Sequence, residues 1–125
     1  MHPRASYLLE RKASELDVLG KALASFLSYD QVLLSHYKYW SLDHIMTRSL
    51  LSDTKLLRNY LKKLSKTQAQ EDQYPLLKSI HSITNNIYSY CTGLEYHSKK
   101  SKDYLAIYKK ELNHFIAVFH KWSSL

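Results

Sequence analysis

Two glycines and two prolines in 125 residues leave this chain with almost nothing from which to build tight turns. Sheets, sandwiches and barrels reverse direction every few residues. Those reversals lean on Gly, Pro and Asn, which tolerate or pre-set the backbone angles needed. A fold of few, long elements remains, and the apolar residues say which kind. From about Ala5 to Leu27 they fall at Leu9, Ala13, Leu16, Leu19, Leu23 and Phe26. Steps of three and four place them on one stripe of a helix. Glu10, Arg11, Glu15 and Lys21 lie off it, toward solvent. Gly20 costs such a helix about 1 kcal/mol relative to Ala, a cost that close approach of a neighbouring element would offset.

Ser28-Tyr29-Asp30 follows, with Ser28 or Asp30 placed to cap a second helix. That second segment, about Gln31 to Lys66, contains neither Gly nor Pro. Its later half has a stripe at Leu42, Met46, Leu50, Leu57, Leu61 and Leu64; Leu33, Tyr37, Trp40 and His44 sit on a rotated face. A single helix of that length would span about 50 Å. A bend or break is therefore expected near Ser41 or at Ser52-Asp53, residues whose side chains compete for local backbone groups. Thr67 to Tyr74 reads as a polar loop, and Pro75 suits the first position of a third helix, where its missing N–H is not needed. The third stripe is Leu76, Ile80, Ile83, Ile87, Tyr90 and Leu94, ending near His97-Ser98. The fourth, capped by Ser101, is Leu105, Tyr108, Leu112, Phe115, Phe119 and Trp122. Four stripes and short connections predict an all-α, antiparallel (up-down) four-helix bundle with long helices. At this length, 1–125 reads as one domain, large enough to bury a core without disulfides or metal.

Several chemistries find no support. Gly20 and Gly93 stand alone inside helical patterns, so neither a phosphate-cradling loop nor a dinucleotide motif exists. No nucleophile elbow occurs, and nothing arranges a Ser-His-Asp triad. Cys91 is the sole cysteine, which excludes a disulfide framework and a zinc site of paired thiolates. Glu111 and His114 have the Glu-x-x-His spacing of a di-iron bundle ligand pair, but no second such pair accompanies them. The expectation is a non-enzyme with no cofactor and no metal. The amino terminus lacks the pattern of a signal peptide, and no run approaches the ~18 apolar residues of a membrane span. A cytoplasmic protein is expected.

Asp72, Leu76, Ile80, His81 and Ile83 resemble the approach to the phospho-accepting histidine of histidine phosphotransfer domains, which are also helical bundles. The resemblance implies an exposed, phosphorylatable His81. In that family a lysine and a glycine follow; here Thr84 and Asn85 stand in their places.

Charge and aromatic content point to two partner classes. The net charge of +7 is uneven: residues 1–53 carry six Lys/Arg and six Asp/Glu, residues 54–125 twelve against five. Lys55, Arg58, Lys62, Lys63 and Lys66 form a ridge beside the leucine stripe, and Lys99, Lys100 and Lys102 form a second cluster, with Lys109 and Lys110 beyond. Such ridges neutralise phosphates without reading sequence, and Tyr60, Tyr96 and Tyr104 offer stacking surfaces for single-stranded bases. Lysines near helix C-termini are equally accounted for by the macrodipole. Among eleven Tyr, two Trp and three Phe, Tyr37, Tyr39 and Trp40 cannot all face one core, because neighbours on a helix diverge. Ile107 and Val118 widen the apolar face of the last helix. Surplus apolar and aromatic surface predicts a homo-oligomer or a protein partner. The leading expectation is a helical interaction module (adaptor, chaperone or assembly subunit); the second is a basic nucleic-acid-binding bundle. The two differ in whether the basic residues converge on one face.

Overall fold

A computed structural model of the chain describes residues 3–34, 42–97 and 102–123. Helix α1 spans Pro3–Leu34, α2 Leu42–Lys66, α3 Gln70–His97 and α4 Lys102–Ser123. The described residues form four helices and no strand, as the turn-poor sequence requires. α1 packs on α2 and α4, and α3 packs on the same two. α1 and α3 therefore face each other across one diagonal, α2 and α4 across the other.

Cross-helix contacts fix the directions. Asp17 meets Arg58, while Gly20, further along α1, lies against Leu50 and Leu51, earlier on α2. Gly93 touches Met46, and Gln73 reaches back to Thr67. Glu95 meets Lys109, and His81 meets His120. Each sequential pair runs antiparallel, giving an up-down-up-down four-helix bundle.

The core is the four stripes drawn inward. Leu9, Ala13, Leu16 and Leu23 from α1, Leu50, Leu57, Leu61 and Leu64 from α2, Ile80, Ile83, Ile87 and Leu94 from α3, and Leu105, Tyr108, Leu112, Phe115 and Phe119 from α4 are all buried. Leu19, Met46, Leu76 and Tyr90 pack on its rim. Gly20 supplies the expected close approach: a Cβ there would stand 3.1 Å from Leu51 Cδ2, 3.3 Å from Leu50 Cδ2 and 3.6 Å from Tyr108 Cε2.

Three boundary expectations are corrected, and one of the two alternatives for a break is excluded. α1 runs through Ser28-Tyr29-Asp30 to Leu34, so no cap acts there; Ser and Asp cost a helix interior under ~1 kcal/mol each, and no Gly or Pro interrupts the run. The segment Gln31–Lys66 is consequently divided: Gln31–Leu34 close α1, and α2 opens at Leu42. α2 is unbroken across Ser52-Asp53, and Ser41 lies outside the described residues. The polar loop shrinks to Thr67–Ala69, with Pro75 inside α3. The Ala69 carbonyl accepts from the backbone N–H groups of Asp72 and Gln73, both at 3.1 Å, which starts the helix early. Glu71 and Asp72 oppose the positive end of its dipole. Gln73 Nε2 donates to the Thr67 carbonyl at 2.7 Å and ties the connection shut. Pro75 removes one donor, from the carbonyl of Glu71; both residues are exposed, which leaves that carbonyl open to solvent and the cost small. Finally, Trp122, counted in the fourth stripe, is 40% exposed rather than core; at about 100° per residue it falls at the margin of the buried arc, toward the outer flank of α4.

Candidate functional site

The basic ridge is only partly a free cationic surface. Lys55, Lys62 and Lys66 are exposed along one edge of α2 and rise about 16 Å along it. Arg58, on the same edge, is half-buried, and its Nη1 donates to Asp17 Oδ2 at 2.9 Å. Lys21 Nζ stands 3.1 Å from the same oxygen. The Asp17 side chain is only 11% exposed, so the guanidinium is engaged in neutralising an acid on α1. Lys63 lies on a different face, with its ammonium 5.4 Å from the Tyr60 ring centroid.

Nor do the two basic clusters converge. Lys66 ends α2 at the α2–α3 connection, whereas Lys102 opens α4 at the opposite end of the bundle. α4 is also diagonal to α2. Lys99 and Lys100 lie outside the described residues. Further along, Lys109 turns toward α3, donating to Glu95 Oε2 at 3.0 Å and lying 5.1 Å from the Tyr88 ring. The Glu95 hydrogen bond raises the Lys109 pKa. Of the proposed stacking residues, Tyr96 is 87% exposed, Tyr104 is 43% exposed, and Tyr60 packs against the core rim.

α4 presents a second surface. Its Lys109 and His120 face α3, so the opposite flank lies along the α1 side. Tyr104, Ile107, Glu111, His114, Val118 and Trp122 recur there in steps of three and four, within an arc of roughly 80°. Ile107 is 51% exposed; Val118 packs one side against the core and leaves the other at the surface. Glu111 is half-buried and His114 exposed. Tyr37, Tyr39 and Trp40 lie outside the described residues.

Three groupings were not drawn from the sequence. Thr54 and Tyr108 are fully buried on diagonal helices, their oxygens 3.2 Å apart. Thr54 Oγ1 gives its only proton to the Leu50 carbonyl at 2.7 Å, so the Tyr108 hydroxyl is the donor between the two. Burial raises the Tyr108 pKa, against the opposing effect of that hydrogen bond. Cys91 is buried in the core, which pushes its thiol up to about 12. His81 is half-buried, with its ring centroid 5.6 Å from that of His120 on α4, edge to face. The signal for this last pair was available. In antiparallel neighbours, residues equidistant from the connection meet, and His81 and His120 flank the α3–α4 connection almost symmetrically.

Among the described residues no three His, Cys, Asp or Glu side chains converge as a metal site, and no helix is long and apolar enough to cross a membrane. No family model, curated protein or solved structure matches the chain.

Proposed function

We propose that the chain is a non-enzymatic helical interaction module that self-associates through the outer flank of α4. The observation that carries this reading is the self-complementarity of that flank. Pair α4 antiparallel with the α4 of a second copy, about a two-fold axis between Leu112 and Asn113. Residues equidistant from the axis then face each other: Ile107 against Val118, and Glu111 against His114. Each apolar residue meets an apolar one and the acid meets a base, while Tyr104 and Trp122 close the two ends. A two-fold interface must be complementary to itself in this way. An exposed apolar line at helical spacing also suits burial against another helix.

The nucleic-acid reading rests on Lys55, Lys62 and Lys66 alone among the described members of the α2 ridge. The separation of the two basic clusters weighs against a continuous phosphate-binding face.

Light scattering over a concentration series tests the proposal. The expected species is twice 14.7 kDa at high concentration. Ile107→Lys should return it to the monomer, and so should Glu111→Lys, which removes the carboxylate facing His114. Exchanging the pair, Glu111→His with His114→Glu, should restore the dimer, because the two-fold preserves the match. A monomer throughout would sink the proposal. Association that survives Ile107→Lys but is lost in Trp40→Ala would move the contact to the aromatic segment 37–40.

A further inference from the structure

We infer that His81 and His120 form a two-histidine site for a borderline transition-metal dication, Cu²⁺ or Zn²⁺, which clips α3 to α4. The inference stands apart from self-association, which uses the other flank of α4.

The geometry fits one ion between the rings. With metal–nitrogen bonds of about 2.0–2.1 Å, two imidazoles on a tetrahedral centre hold their centroids roughly 5 Å apart. The observed separation is 5.6 Å with the ring planes at 70°, close to that spacing, and the site requires the rings to turn until a nitrogen of each faces the ion. Both rings are already held. The His120 ring lies 5.9 Å from that of Phe119, a buried core residue. His81 is half-buried, and the side-chain amide of Asn85, one turn on, lies 3.4 Å from its Nε2. The oxygen and nitrogen of such an amide are interchangeable by a flip. With the carbonyl turned inward it accepts Nε2–H and leaves the Nδ1 lone pair for the metal. A ligating histidine is ordinarily oriented by this kind of bond.

Charge and access are compatible as well. The nearest cationic side chains in sequence, Lys78 and Lys121, hold their ammonium groups 4.9 Å from the Tyr74 ring and 5.7 Å from the Trp122 ring. His120 is exposed, so water can fill the remaining coordination positions. A donor pair of imidazoles selects by softness. It should follow the Irving–Williams order, Cu²⁺ above Zn²⁺, and ignore Mg²⁺ and Ca²⁺.

Thermal unfolding of the full chain with CuSO₄, ZnCl₂ or MgCl₂ tests the site, since an ion that binds only the folded state raises Tm. Cu²⁺ and Zn²⁺ should each raise it, with Mg²⁺ without effect. His81→Gln and His120→Gln should each abolish the rise at the same metal concentration, while His114→Gln should keep it. Loss of an orienting partner alone weakens metal binding about 10–100-fold, so loss of a ligand should weaken it at least tenfold. The ring protons of His81 and His120 should shift together when Zn²⁺ is added to the unmutated protein, a readout that needs no variant. A Tm rise retained in both glutamine variants, no rise in the unmutated protein, or ring signals indifferent to Zn²⁺ would each overturn the inference.

Discussion

Arg58 on α2 donates to the nearly buried carboxylate of Asp17 on α1 at 2.9 Å. A residue that reads in the sequence as part of a cationic ridge is thereby part of the α1–α2 seam. The same bond separates the members of that ridge by role: Arg58 supports the fold, whereas Lys55, Lys62 and Lys66 stand in solvent.

Arg58→Gln should therefore destabilise the bundle by about 1–3 kcal/mol, because a mostly buried acid loses a charged donor. Lys21 still reaches the same oxygen, which keeps the loss below that of a fully buried pair. Lys62→Gln, at an exposed position four residues on, should stay within about 0.5 kcal/mol. Urea titration of the two variants side by side distinguishes them. Equal stability would mean that the Asp17–Arg58 contact contributes nothing.

The buried Thr54–Tyr108 pair predicts an asymmetric double-mutant cycle. Tyr108→Phe removes a donor and leaves Thr54 still bonded to the Leu50 carbonyl, for about 0.5–1.5 kcal/mol. Thr54→Val strands the Tyr108 hydroxyl inside the core, for about 1–3 kcal/mol. The double variant should be less damaged than the sum of the singles, since it leaves no hydroxyl unpaired. Additive losses would exclude the bond.

Alkaline pH should weaken the fold in two stages. The Cys91 thiol is held up near 12 from an ordinary 9.0 by burial. The Tyr108 hydroxyl is raised above an ordinary 10.0 by the same cause. Both groups are acids that keep their protons longer when folded, so their contribution is intact below the unfolded values. Between 9 and 10 the unfolded chain loses the thiol proton, and above 10 the phenol proton also, while the folded state retains both. Stability should fall with rising pH by about 1.4 kcal/mol per unit for each group in its window. Cys91→Ala should delay the onset to the tyrosine range. Chemical denaturation from pH 8 to 11 measures this, and identical profiles with and without Cys91 would contradict it.

The two glycines should respond oppositely to alanine. At Gly93 the added methyl meets Met46 Sδ at 2.7 Å and Cε at 3.0 Å. These are the free end of a flexible side chain only partly buried, which can rotate away. Gly93→Ala should gain up to about 1 kcal/mol of helix propensity. At Gly20 the methyl meets two leucines and the Tyr108 ring, and Leu50 and Tyr108 are fully buried. There the packing strain of about 1–3 kcal/mol should cancel or exceed the gain. Thermal melts of the two variants test the contrast.

What the sequence made legible was whatever repeats. Leu57, Leu61 and Leu64 declare a helix face because spacing alone carries that information, and the same is true of Ile80, Ile83 and Ile87. Boundaries were less legible where the cues were local and weak. Ser28 and Asp30 look like caps, yet a helix with no glycine or proline in its path continues through them. Pro75 looks like a first residue, yet the Ala69 carbonyl and the Gln73 side chain begin α3 earlier. The Asp17–Arg58 and His81–His120 pairs join residues far apart in the chain. They become visible only once the topology and the register of each seam are set. Thr54 falls between Leu50 and Leu57 in its stripe and reads as polar; its hydroxyl enters the core bonded to the Leu50 carbonyl, and only the topology brings Tyr108 to it across the diagonal.

That diagonal bond bears on uniqueness rather than on strength. Stripes of leucine and isoleucine at near-heptad spacing match one another almost as well after a slip of two helical turns, so greasy contact alone discriminates poorly between alignments. Sliding α4 by seven residues toward the end of α2 would set the Tyr108 hydroxyl level with buried Leu61 and strand a polar group in a dry interior; the opposite slip brings it level with buried Thr47 and is not penalised in this way. The bundle misaligned toward Leu61 is penalised even if its apolar contacts are as extensive as before, in the way a single polar residue sets the partner register of a coiled coil. Valine and phenylalanine at these two positions should thus yield a chain that still collapses into helices while sampling more than one alignment, visible as doubled backbone resonances.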